Sequence, residues 1–163
     1  MSYEDVDSNR TTITYEITYT VLSETLEIKY LAISSAPTYL SLTNHTYFNL
    51  SGDPNKEIID QILSLKCSHY ARLNSSSLPV ELVPIEHSPL DLREPKRIGD
   101  ILSSKHPDIL NASGIDHPFK CVSNGPIATL SDLDSGRVMQ TYTSQNYVVV
   151  YTGNFLKSAS SPS

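Results

Sequence analysis

The chain has 163 residues, and Lys+Arg 12 against Asp+Glu 18 leaves a formal net charge of −6. An acidic chain without a basic cluster has no electrostatic footprint for nucleic acid or anionic lipid, so neither is expected as a partner. Hydrophobic content of 39%, charged content of 18% and a mean hydropathy of −0.23 fit a soluble globular chain of one domain, not a polyelectrolyte.

Apolar runs end after a few residues, as at Val148-Val149-Val150-Tyr151, so no membrane-spanning helix is expected. The opening Met1-Ser2-Tyr3-Glu4-Asp5-Val6-Asp7 is acidic and lacks the basic-then-apolar order of a signal peptide, which points to the cytoplasm. A reducing compartment in turn predicts that Cys67 and Cys121 stay two thiols and do not form a bridge. The N-x-[ST] triplets at Asn9, Asn44, Asn49, Asn74 and Asn111 then go unread.

Residues 1–10 are expected as a short flexible N-terminus, 11–156 as the folded domain and 157–163 as a disordered tail without an apolar anchor. From Thr12 to Leu22 apolar and polar residues alternate, with many β-branched and aromatic side chains, as a half-buried strand requires. A break at Ser23-Glu24-Thr25 leads into a second period-two run, Leu26 to Ile33. Together they predict a hairpin that sets Ile28 and Tyr30 opposite Ile13, Tyr15 and Ile17. A third extended run is expected from Tyr39 to Thr43.

Ser51-Gly52-Asp53-Pro54-Asn55 reads as a turn. Pro79, Pro84, Pro89 and Pro95 forbid a long helix and suggest short extended segments. The one helix expected is a turn or two near Arg97–Ser103, too short to stand without tertiary packing. Late strands are expected at Phe119–Val122, Ala128–Leu130, Arg137–Thr143 and Tyr147–Thr152. Many short strands with little helix predict an all-β sandwich or barrel, whose exposed sheet edges invite self-association.

Two segments carry candidate chemistry. The first is Thr43-Asn44-His45-Thr46-Tyr47-Phe48-Asn49-Leu50, where His45 can exchange a proton near neutral pH. There Asn44 and Asn49 can bond hydroxyls, and Tyr47 and Phe48 offer apolar faces to a sugar ring. A buried histidine satisfied by neighbouring amides is the plainer alternative. In the second, Ser113-Gly114-Ile115-Asp116-His117-Pro118-Phe119, a tight turn projects Asp116 and His117, unless the carboxylate merely closes an Asx turn. His69, His87 and His106 lack metal-ligand spacing, so no metal site is inferred. No P-loop, GxGxxG or GxSxG occurs, which leaves nucleotide binding and serine hydrolysis unsupported.

At these residues the chain resembles the galactose mutarotases, or aldose 1-epimerases. Leu42 to Gly52 looks like the family's central signature, followed in family order by Leu90-Asp91-Leu92-Arg93-Glu94-Pro95, Gly114 to Phe119, Gly136-Arg137-Val138-Met139 and Tyr151-Thr152-Gly153-Asn154-Phe155-Leu156. The resemblance implies an antiparallel β-sandwich of the galactose mutarotase type. It also implies anomer interconversion of an aldose such as galactose or glucose, by acid–base opening and reclosing of the hemiacetal ring, with no cofactor. His45 would be the acid, while Asp116 and Asn44 would bind sugar hydroxyls. The family's general base is a glutamate in a segment beyond the YTGNFL strand, and an earlier Asn-Arg pair contacts substrate. Neither is matched here, and Val149 stands where the family often has a glutamine. The chain therefore reads as truncated at both ends, and the alternative to an epimerase is a carbohydrate-binding remnant without turnover.

Overall fold

The computed structural model describes residues 2–6 and 11–156. Two compact units divide the chain, 1–47 and 48–163, where a single domain over 11–156 was expected. The first unit is built on local hairpin pairing, which gathers its contacts within itself. It is an antiparallel sheet in the order β1 (Ser2–Val6), β2 (Thr12–Leu22) and β3 (Thr25–Ser34).

The β2–β3 hairpin follows the period-two pattern, with Ile17 paired to Tyr30 and Tyr19 to Ile28. Ser23 takes a positive φ of 49° in the turn. β1 corrects the expectation of a flexible start: residues 2–6 pair with β2 from Ser2↔Glu16 to Val6↔Thr12. Their sequence has little strand character, and the open edge of β2 supplies the hydrogen bonds that make them a strand. Residues 7–10 of that start, and the tail over 157–163, lie outside the described residues.

The third run is a second correction. Residues 37–49 hold no regular secondary structure, and Tyr39, Leu40 and Leu42 are exposed. Alternation alone does not make a strand when no neighbouring strand takes up the backbone N–H and C=O groups.

The second unit holds two four-stranded antiparallel sheets. One runs β10 (Val138–Thr141), β9 (Ala128–Ser131), β4 (Ile62–Leu65), β7 (Lys96–Arg97). The other runs β11 (Tyr147–Tyr151), β8 (Asp116–Cys121), β5 (Cys67–Leu73), β6 (Pro79–Pro84). Leu63 and Leu65 from the first sheet meet Cys67, Tyr70 and Phe119 from the second in one buried cluster, closed by Ile85, Leu90, Leu92, Ile98, Ile101, Ile109 and Ile115. This is the antiparallel β-sandwich that the family resemblance implied, and it settles the sandwich-or-barrel choice that the strand pattern left open. Pro79 and Pro84 sit at the ends of β6, an edge strand, where a missing N–H breaks no ladder on the open side.

Among the described residues helix is confined to a 3₁₀ turn (Ile58–Asp60), α1 (Ile98–Leu102) and α2 (Pro107–Ala112). α1 is the expected short helix. α2 was not expected, although its start carries the standard signals. Pro107 occupies the first turn, and the His106 side chain accepts at Nδ1 from the Asp108 N–H at 3.3 Å. Ser113 ends it in the left-handed region at φ 54°. Among the described residues no helix is long and apolar enough to cross a membrane.

Phe119 is fully buried at the centre of the second unit's core. Phe119→Ala is expected to cost about 3–5 kcal/mol, read as a lowered urea midpoint with the slope unchanged.

Candidate functional site

The two candidate segments differ in how firmly they are held. Asp116 opens β8 and pairs with Tyr151 of β11. The turn before it is clamped from the end of β11. Asn154 donates through Nδ2 to the carbonyls of Ala112 (2.8 Å) and Ile115 (3.0 Å), and its Oδ1 accepts from the Thr152 hydroxyl at 2.5 Å. Thr152 Oγ1 in turn accepts from the Ile115 N–H at 3.0 Å, and the Thr152 N–H donates to the Ile115 carbonyl at 3.1 Å. Gly114 has φ +142°, and a Cβ there would collide with Asn154 Oδ1 and lie 2.8 Å from Thr152 Oγ1. Only glycine fits between the turn and its clamp.

Asp116 is half-buried, and its carboxylate takes no hydrogen bond from the described residues, so no Asx turn consumes it. The Asp116 N–H donates instead to Nδ1 of His117 at 3.1 Å. His117 is fully buried, with its ring edge-on to Tyr70 at 5.7 Å. Because Nδ1 accepts, the ring proton resides on Nε2, which is buried without a partner among the described residues. Burial pushes the His117 pKa down from 6.5, against smaller opposing pulls from Asp108 and Asp116. The imidazole is therefore neutral and belongs to the core.

Beside it, buried Asp108 accepts from the Tyr70 hydroxyl and from Arg72 Nε at 3.2 Å, and Arg72 also reaches Glu81 at 2.7 Å. Desolvation, reinforced by Asp108, drives the Tyr70 phenol up to about 12, so it stays a donor. Neither Asp108 nor Tyr70 was singled out from the sequence. The Pro107-Asp108 start of α2 was the available signal for Asp108.

His45 lies in the irregular segment that ends the first unit. It is exposed, with an edge-on ring contact to Tyr47 at 5.3 Å, and it is not the buried, amide-satisfied histidine of the plainer alternative. Asn44 accepts at Oδ1 from the Thr46 N–H at 3.0 Å, which shapes the turn and leaves its NH₂ group unused among the described residues.

Asn49 behaves differently. Its amide donates to the carbonyls of Asp53 (3.2 Å) and Lys56 (2.7 Å) and accepts from Ser51 and from Gln61 Nε2 (2.8 Å). It is a structural hub and has no capacity left for a sugar hydroxyl. Arg137 completes that anchorage, donating through Nη1 to the carbonyls of Leu50 and Ser51, both at 3.1 Å. His69, His87 and His106 stay outside the candidate chemistry: His69 contacts the Ser68 hydroxyl and His106 caps α2.

With this arrangement established, comparison with known proteins decides the family. The model of the aldose 1-epimerase family matches residues 6–163. This chain belongs to the aldose 1-epimerase family. The galactose mutarotases of Rattus norvegicus and Homo sapiens are each 34% identical over 145 residues, which is 86% of this chain and 41% of theirs. A maltose epimerase from Levilactobacillus brevis is 31% identical over 143 residues, 85% of this chain and 41% of its own.

The crystal structure of galactose 1-epimerase from Lactobacillus acidophilus superposes with a TM-score of 0.83 at 28% identity, covering 94% of this chain and 46% of that one. An aldose epimerase homologue from C. elegans has the same fold, with a TM-score of 0.83 at 19% identity, covering 95% and 48%. The chain thus spans about two fifths of the length of the sequence relatives it matches.

Two measurements test the clamp and the buried ring. Gly114→Ala is expected to destabilise by about 1–3 kcal/mol through its strained φ and the displaced Asn154, and to shift the Asp116 amide resonance. For His117 the folded pKa lies below the unfolded 6.5, so the unfolded state binds the extra proton. Stability from this group is complete above pH 6.5 and falls as pH drops below it. Urea midpoints measured on either side of pH 6.5 should show that fall, and His117→Phe should flatten it.

Proposed function

We propose that this chain binds aldopyranoses in the manner of its family and assists interconversion of their α and β anomers. One observation carries the reading: in the two signature segments, internal bonding consumes Asn49 and His117 but leaves the His45 ring, the Asp116 carboxylate and the Asn44 NH₂ group free to meet a ligand. In this reading Asp116 and Asn44 hold sugar hydroxyls, and His45 is the acid. His45 protonates the ring oxygen as the C1–O5 bond breaks, and the C1 hydroxyl gives its proton to a solvent water. Rotation about C1–C2 and reclosure then give the other anomer. Galactose and glucose are the proposed sugars, and the cytoplasm is the proposed compartment.

A second reading is binding without turnover. It is favoured by the Asp116 carboxylate and the Asn44 NH₂ group, which can hold hydroxyls without any proton transfer. The exposed Val80 and Leu82 on β6 and Val138 on β10 also give a second copy of the chain an edge to pair with. Self-association of this kind would appear as concentration-dependent melting.

Polarimetry on freshly dissolved α-galactose tests turnover. If His45 is the acid, His45→Ala lowers the protein-dependent rate by about 10²–10⁴-fold. A wild-type rate equal to buffer removes turnover for this chain and leaves the binding reading. Galactose titration followed by NMR tests binding. Shifts are expected at both His45 and the Asp116 turn, with affinity reduced about tenfold or more in Asp116→Ala. No shift at either segment up to saturating galactose would overturn the binding reading.

A further inference from the structure

Cys67 and Cys121 face each other on adjacent strands. Cys67 opens β5, Cys121 closes β8, and the two are directly paired in the antiparallel register. The Val122 N–H donates to the Lys66 carbonyl at 3.0 Å, the flanking bond that marks Cys67↔Cys121 as a non-hydrogen-bonded pair. In such pairs the Cα atoms lie about 4.5 Å apart with side chains converging on one face, inside the range a disulfide spans without moving the backbone. Both cysteines are free thiols, and Cys121 Sγ donates to the Phe119 carbonyl at 3.9 Å.

We propose that Cys67 and Cys121 form a thiol–disulfide exchange site that takes a low-molecular-weight disulfide such as oxidised glutathione and closes a cross-strand bond between β5 and β8.

Accessibility assigns the order of events. Cys121 is half-buried and can be reached from solvent, whereas Cys67 is 1% exposed. Burial raises the pKa of both thiols, Cys67 to about 12, so Cys67 is a poor first nucleophile toward any reagent in solution. The Cys121 thiolate attacks the small disulfide, whose S–S bond breaks to release one thiol and leave a mixed disulfide on Cys121. The Cys67 thiolate, already adjacent, attacks Sγ of Cys121 and expels the second thiol. Two electrons pass from the protein pair to the reagent, and the two protons end on the released thiols. The bond ties β8, which begins at Asp116, to the centre of its sheet, and it is independent of whether the chain binds sugar.

The test treats the full chain with oxidised glutathione under native conditions, then alkylates remaining thiols in denaturant. Expected is a monomer lighter by two hydrogens with neither cysteine alkylated, and a non-reduced peptide map joining the Cys67 and Cys121 peptides. In Cys67→Ser the reaction should stop at a glutathione adduct on Cys121, and in Cys121→Ser Cys67 should stay unmodified. Both thiols still alkylated in the wild-type chain, a persistent adduct on wild-type Cys121, or a bond joining two chains would each overturn the proposal. The wild-type map decides it even if a variant fails to fold.

Discussion

The Asn154 side-chain amide, lodged against a turn that has no Cβ at Gly114, fixes where β8 begins. One carboxamide joins the C-terminal end of α2, the Ile115 carbonyl and Thr152 beyond β11. Because β8 lies between β11 and β5, its starting point sets the register of both neighbours. A one-residue slip would exchange the buried and outward faces of β8, turning Phe119 out of the core. The clamp also decides which end of β8 is open to chemistry, since Asp116 leaves the turn with its backbone bonded and its carboxylate uncommitted. The free carboxylate is thus positioned by residues whose own polar groups are spent within the fold.

Buried polar groups divide the same region into structural and available parts. Asp108, Tyr70 and Arg72 satisfy one another beneath the sheet, and the neutral His117 ring packs against Tyr70. Removing Asp108 alone would strand a buried phenol and one bond of a guanidinium, which is why such groups stand or fall together. Adjacent residues of one short motif, Asp116 and His117, therefore have opposite surroundings, one carboxylate uncommitted and one ring sealed in the core. The signature around position 45 shows the same division. Asn49 and Arg137 anchor its end to the turn at 50–56, while the His45 ring and the Asn44 NH₂ group take part in no hydrogen bond among the described residues.

Strands with strong alternation were legible in the chain itself: β2 and β3 fall where β-branched and aromatic residues recur at period two, and β9, β10 and β11 overlap the expected late strands, whereas β8 begins at Asp116, three residues before the expected Phe119. Tyr39 to Thr43 has the same texture and is no strand, because pairing is a property of two segments and only one of them can be read from a local pattern. β1 is the converse case, a weakly patterned stretch made a strand by the edge it meets. α2 was overlooked although Pro107, Asp108 and the Ser113-Gly114 stop were present, because prolines nearby were read only as breakers. Of the candidate site, the motifs around His45 and Asp116 could be named from their residue types. The roles of Asn49, Asn154 and Thr152 could not, since an amide or hydroxyl that binds a ligand looks the same in sequence as one that bonds a carbonyl.

What the amino-acid order determined alone is what depends on neighbours along the chain: the period of each strand, the turn at Gly52, the acidic charge and the family to which the motifs point. Tertiary structure decided what depends on neighbours across space. It set Cys67 against Cys121, sealed His117 away from water while leaving His45 exposed, and bonded Asn154 to a turn some forty residues earlier. The physical reason is that backbone periodicity is a local steric property. Burial and hydrogen-bond partnership exist only once distant segments have excluded water from between them.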